Sequence, residues 1–262
     1  MENQFGQVSR LRLTAAKKDG KTILEDVYFT APFKVMRPFY EKKDVMTVMF
    51  LAASAGIMAG DTQDFEIHVK PEANMEFTSQ SYEKIHKMES GHAERHAHIT
   101  VDSHAVLNYR PQPTIPFARS DFRSTVEVDL ADETSRFIFS EVLSCGRVAH
   151  GEEFQYCRYQ NRISIRQAGR LIYRDNTRYL PSEMDMQGFG MYEGFTHLAN
   201  LVICNEPKSE DWLIAARQLM DSTPRIQGGA TQLSSGATAV KILGPSGQVL
   251  TDVMEKLLAL QA

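Results

Sequence analysis

Phe122-Arg123-Ser124-Thr125-Val126-Glu127-Val128-Asp129-Leu130 sets apolar or small side chains against charged or hydroxylated ones with a period of two. Successive side chains of an extended chain leave on opposite faces, so this run is a strand with one buried face. The same period recurs in Phe65, Ile67 and Val69 against Glu66, His68 and Lys70, and in Ile163 and Ile165 against Arg162, Ser164 and Arg166. Asp19-Gly20 and Ala168-Gly169 separate such runs and are read as hairpin turns, because glycine readily supplies positive φ. Val45 to Ala52, Phe137 to Leu143 and Leu198 to Ile203 are apolar almost throughout, as strands covered on both faces must be, so the sheets are stacked. Two stretches have helical spacing instead: Ser209 to Asp221, with Trp212, Leu213, Ala216 and Leu219, and Val249 to Leu260. Ser209 is the expected cap of the first, with Glu210 and Asp211 in its opening turn. The chain is therefore expected to be mainly β, with a few helices, two of them in the C-terminal third. No repeat of fixed length is visible.

At 262 residues, with 42% hydrophobic and 24% charged side chains, the composition is that of a globular protein. No Gly/Ser/Pro-rich or charged linker divides it, so residues 1–262 are expected to form a single domain. A net charge of −4 gives no drive toward nucleic acid or anionic membrane. Three cysteines without a CxxC pair argue against a secreted disulfide framework, and Met1 to Gly6 has no secretory character, so a cytoplasmic location is expected. The uncharged portion of Val45 to Gly60 is shorter than the roughly 20 residues of a spanning helix.

The motifs lie in order along the chain. Ala55-Gly56-Ile57-Met58-Ala59-Gly60-Asp61 is a glycine-bracketed turn ending in an acid, followed by Thr78-Ser79-Gln80-Ser81-Tyr82-Glu83-Lys84-Ile85. Pro111-Gln112-Pro113-Thr114-Ile115-Pro116-Phe117 comes next, then Glu141, Gly146-Arg147, Gly151-Glu152-Glu153-Phe154 and Ile172-Tyr173-Arg174-Asp175-Asn176. This ordered set resembles the UreD/UreH urease accessory protein family over nearly the whole chain. Ala55, Ala59, Ser79 and Ser81 depart from it, standing where Gly, Gly, Thr and Ala are common; alanine resists positive φ, so a loop needing it there must be shaped differently. The resemblance implies a two-layer, β-helix-like arrangement of sheets. It also implies a non-enzymatic urease maturation factor, a scaffold and metallochaperone that binds apo-urease and the F-type accessory protein. Through that complex it would engage the GTP-dependent G-type protein, as a dimer of accessory complexes, with nickel in transit and no tightly bound cofactor.

The familiar catalytic signatures, GxxxxGK[ST], GxSxG, HExxH and GxGxxG, do not occur. Carboxylates bind divalent ions through oxygen, and Asp61, Asp64, Glu66, Glu141, Glu152 and Asp175 are candidates for a metal path. Asp61 has a second reading as a turn cap, and Glu66 as part of an exposed face. Glu141, in an apolar strand, needs a partner, for which Arg147 is the candidate; a structural pair and an ion-path role are both open. His96 and His98 leave one face of a strand and are candidate metal ligands, against the reading of solvated histidines opposite Ala97 and Ile99. Trp212 and the C-terminal helices are the candidate contact for the F-type protein, and the β-face for urease. Two rival functions are a histidine-based nickel store and a small-molecule hydrolase outside the known signatures.

Overall fold

The computed structural model describes residues 8–42, 44–206 and 211–260. Two mixed sheets face each other. Sheet A runs in the order β14 (Arg170–Tyr179), β13 (Arg158–Gln167), β11 (Asp121–Leu130), β8 (Ala93–Val101), β5 (Thr62–Val69), β1 (Val8–Lys18), β2 (Lys21–Phe29). Sheet B runs β16 (Gln227–Gln232), β17 (Thr238–Gly244), β15 (His197–Cys204), β12 (Arg136–Ser144), β9 (Val106–Tyr109), β6 (Asn74–Ser79), β4 (Met46–Ala52), β3 (Phe33–Val35). Two short strands, β7 (Glu83–Ile85) and β10 (Thr114–Pro116), pair with each other beside it. Both expected hairpin turns are present, with Asp19 at φ 48° and Gly20 at 79°, and Ala168 at 47° and Gly169 at 77°.

From β4 to β13 the chain passes alternately from one sheet to the other, and neighbours within each sheet are parallel. This is the β-helix-like winding that the resemblance implies. Phe65, Ala97, Val126 and Ile163 are successive register partners, yet the chain lengths between them differ. Connections of unequal length hide the coil from a search for a fixed period.

The inward residues of both sheets form the main core. On sheet B, Phe50, Phe77, Tyr109 and Phe139 stack in a row, with successive ring centroids 5.1, 5.1 and 5.9 Å apart. Sheet B is covered on its other face too. Helices α1 (Asp211–Ser222) and α2 (Gly247–Ala259) pack there with Ile138, Val142, Leu201, Val240 and Ile242, which is why β12 and β15 read as continuously apolar. Ser246 caps α2 by accepting from Val249 N at 3.2 Å. The expected cap of α1, Ser209 with Glu210, lies outside the described residues. Among the described residues no helix is long and apolar enough to cross a membrane. Among the described residues Cys145 is buried and Cys157 exposed, and neither forms a disulfide.

Candidate functional site

The motif segments at 55–60, 83–86, 114–117 and 145–154 are far apart in the chain but stack in space, because each belongs to a connection from sheet B to sheet A. Ile57 N donates to Lys84 O at 2.8 Å, His86 N to Ile57 O at 2.8 Å, and Phe117 N to Ile85 O at 2.9 Å. Gly56 and Gly146 both have φ 145°. A Cβ on Gly56 would stand 2.4 Å from Lys84 O, and one on Gly146 2.2 Å from Glu152 O. Only glycine lets the first connection approach the next at Gly56, and the 145–154 connection fold back on itself at Gly146. Gly60 turns at φ 83°, with its N–H on His92 O, and Gly151 at φ 71° ends the short helical turn Val148–His150. Arg147 lies over the Phe117 ring, 4.2 Å from its centroid, while Gln80 and Lys84 line a cavity of about 70 Å³ beside Gly56, Ser79, Ser81 and Glu83. Thr78 pairs in register with Met49.

Beneath this stack the interior carries a row of polar groups. Gln63, Arg95, Ser124 and Asn161 are successive register partners on the inner face of sheet A, all buried. Arg95 donates to Gln63 Oε1 through Nε at 2.9 Å and to Glu83 Oε2 through Nη1 at 2.7 Å, and its Nη2 also pairs with Glu83. Its guanidinium sits 4.8 Å from the Phe65 ring centroid. Burial disfavours the Arg95 charge, but Glu83 outweighs it and the pKa is raised. Across the interior, Asn161 Nδ2 donates to Glu141 Oε2 at 2.5 Å. Glu141 forms no ion pair among the described residues; burial, with the nearby charge of Asp175, raises its pKa to about 7 against the lowering influence of Asn161. Tyr109, which is buried, is raised to about 12. Glu83, Arg95, Tyr109, Glu141 and Asn161 line a cavity of about 30 Å³, room for a water-sized occupant or a bare ion. Asn161 Oδ1 is buried there without a hydrogen-bond partner among the described residues.

The row continues outward. Glu141 stands opposite Asn200 in register, and Asn200 opposite Lys241. Lys241 Nζ donates to Asp175 Oδ2 at 2.7 Å and lines a cavity of about 410 Å³ with Tyr179, Tyr192, Gln227 and Gly228. Glu83 thus borders one cavity at the motif stack, Glu141 the small central one, and the Asp175–Lys241 pair approaches a third.

The structure separates the candidate residues. Glu141 and Asp175 lie in the interior row. Glu152 belongs to the stack: it forms a bidentate pair with Arg147, Arg147 Nε donating to it at 2.7 Å, and accepts from Ala118 N at 3.1 Å. The Glu141–Arg147 pair expected from sequence is therefore not formed; Arg147 points to the glutamate five residues on, and an asparagine from the facing sheet meets Glu141. Asp61 caps its own turn, accepting from Met58 N at 2.8 Å. Asp64, Glu66, His96 and His98 come together on the outer face of sheet A, where Asp64 stands opposite His96 and Glu66 opposite His98, and all line an open cavity of about 320 Å³. Among the described residues no three His, Cys, Asp or Glu converge closely enough to hold a metal ion. Trp212, 2% exposed, is packed into the core under α1, so its indole is not a surface contact.

Gln63, Glu83, Arg95, Asn161, Asn200 and Lys241 escaped the sequence reading. A signal for four of them was present: Gln63 shares the phase of Phe65 and Ile67, Arg95 that of Ala97 and Ile99, and Asn161 that of Ile163, while Asn200 interrupts an apolar run. A polar residue in the buried phase of a strand marks an interior that is not purely a core.

The family model described as UreD urease accessory protein matches residues 7–262. The chain is 39% identical over 256 residues to "Urease accessory protein UreH" of Helicobacter pylori (strain HPAG1), an alignment covering 97% of this chain and 95% of that protein. It is 38% identical over 256 residues to "Urease accessory protein UreD" of Acetivibrio thermocellus, covering 97% of each. A match of that extent, taking in every stacked connection and the whole interior row, makes this chain a member of the UreD urease accessory protein family.

Proposed function

We propose that the protein is a urease maturation factor, a scaffold without catalysis of its own that binds apo-urease and other accessory proteins in the cytoplasm while nickel is inserted. Its partners in this reading are the F-type accessory protein and, through it, the GTP-dependent G-type protein, assembled as a dimer of accessory complexes. The observation that carries the reading, beside family membership, is the interior polar row from Glu83 through Glu141 to Asp175. A protein that only needed a stable coil would fill that row with apolar side chains, since burying carboxylates costs stability unless they are paired.

Nickel is the cargo. It enters at the cavity under Gly56, passes the Glu83–Arg95 pair, and is held in turn by oxygen donors of Glu141 and Asn161 and then of Asp175. Borderline divalent ions accept such ligands, and a few oxygen donors at each station bind weakly enough to release. Arg95 and Lys241 neutralise Glu83 and Asp175 while the path is unloaded, and each must yield its carboxylate to the passing ion.

The test is co-expression of urease with all other accessory proteins, with this chain supplied, omitted, or carrying Glu141→Ala or Asp175→Asn. Urease metal content and activity should depend on the chain, and each variant should lower both several-fold while still co-purifying with its partners. Full loading without the chain would overturn the maturation role; full loading with both variants would remove these carboxylates from the path.

A further inference from the structure

The outer face of sheet A is divided by charge. Across β1, β5, β8 and β11, basic and acidic side chains alternate and meet: Arg12 with Glu66 at 3.0 Å and Arg123 with Asp121 at 3.2 Å. The β13–β14 hairpin at the end of the sheet is different. Its inward residues are Asn161, Ile163, Ile165 and Tyr173, whereas Arg162, Arg166, Arg174 and Arg178 are exposed. Register places Arg162 opposite Asn176, Arg174 opposite Ser164, and Arg178 opposite Gln160. Arg178, Arg162 and Arg174 are therefore diagonal neighbours in a zigzag across the two strands, roughly 7–8 Å apart.

No carboxylate on the outer face of this hairpin interrupts the zigzag, since Asp175 is engaged with Lys241. On the neighbouring strand β11, Asp129 stands opposite Arg166 and Glu127 opposite Ser164. Even so, among the described residues none of the four arginines forms an ion pair. Like charges side by side oppose folding, and the excess is not a by-product of a basic chain, whose net charge is −4. Arginine is also the cation suited to grip carboxylates in a bidentate fork.

We propose that the outer face of the β13–β14 hairpin docks an acidic surface of a protein partner, with Arg162, Arg174 and Arg178 pairing its carboxylates. The proposal rests on the maturation reading for where the partner is sought, among apo-urease and the other accessory proteins. Unpaired guanidinium groups at spacings of one to two carboxylates speed encounter with such a surface and set the orientation in which the chain is held.

The experiment measures association of the full chain with purified apo-urease and with each purified accessory protein, at low and at high salt. The wild type is compared with R162Q/R174Q/R178Q and with R162K/R174K/R178K; all three positions are exposed, and matching thermal midpoints verify the fold. The expected result is one partner that the Gln variant meets at least about tenfold more slowly at low salt, a gap that narrows at high salt, with the Lys variant in between. Equal rates and equal salt dependence for wild type and Gln variant with every partner that the wild type binds would overturn the docking surface and leave the maturation reading standing. Capture of a random-sequence DNA duplex in place of any protein, abolished in the Gln variant, would overturn it in favour of a polyanion site. A wild type that binds none of the partners would overturn both.

Discussion

Glu141 faces Asn161 across the interior and has no cation in contact, so burial raises its pKa to about 7. An unfolded glutamate titrates near ~4.3. Between these values the folded state keeps a proton that the unfolded state has lost, so stability falls as pH rises from about 4.5 to 7 and levels off above that. The displacement corresponds to a few kcal/mol, on the order of 3.5. Glu141→Gln keeps an oxygen for Asn161 and carries no charge, so it should raise the denaturant midpoint at pH 8 and remove most of the decline; superimposable pH profiles for the two proteins would mean that Glu141 ionises without cost. That such a variant gains stability while losing metal loading is the expected signature of a residue kept for function. From sequence, an acid inside an apolar strand was visible, but its partner was not: Asn161 comes from the facing sheet, and only the fold brings the two together.

Among elements, the connections between the sheets are the most constrained by backbone. Gly146→Ala would put a methyl 2.2 Å from the Glu152 carbonyl at φ 145°, a clash with backbone that no side-chain rotation relieves. We expect a loss of about 3 kcal/mol or more, read from chemical denaturation. Gly151→Ala, at φ 71° with open space around it, should cost only about 1 kcal/mol. Similar costs at the two positions would show that the close approach of Gly146 to the Glu152 carbonyl contributes nothing. The glycines were legible as turn signals. That Gly56 lies against Lys84 of the next connection was not, because nothing local records which distant segment will meet it.

For the whole molecule, β12 and β15 belong to two cores at once: Phe139, Val202 and Cys204 face the space between the sheets, while Ile138, Ala199 and Leu201 face the helices. The single tryptophan, Trp212, reports on the helical side, and far-UV circular dichroism on the sheets. Because the shared strands cannot unfold for one core alone, both signals should give one midpoint in denaturant. Tryptophan fluorescence lost well before the sheet signal would mean that the helices detach independently. Helical spacing alone leaves Trp212 open as a partner contact; sheet B decides by covering it.

Strand periodicity, hairpin turns and helical spacing were carried by the sequence itself, because each depends on neighbours within a few residues and on which side chains avoid water. The ordered motifs added the family, and with it the two-layer winding. The sorting of the acids came only with the tertiary structure: Asp64 and Glu66 outward beside His96 and His98, Asp61 and Glu152 into turns and ion pairs, Glu141 and Asp175 inward. A period of two says that a side chain has a face, but the face becomes interior or surface only when a second sheet closes over it. Which carboxylates meet, which arginines stay unpaired, and where a polar row runs through the coil all follow from that closure.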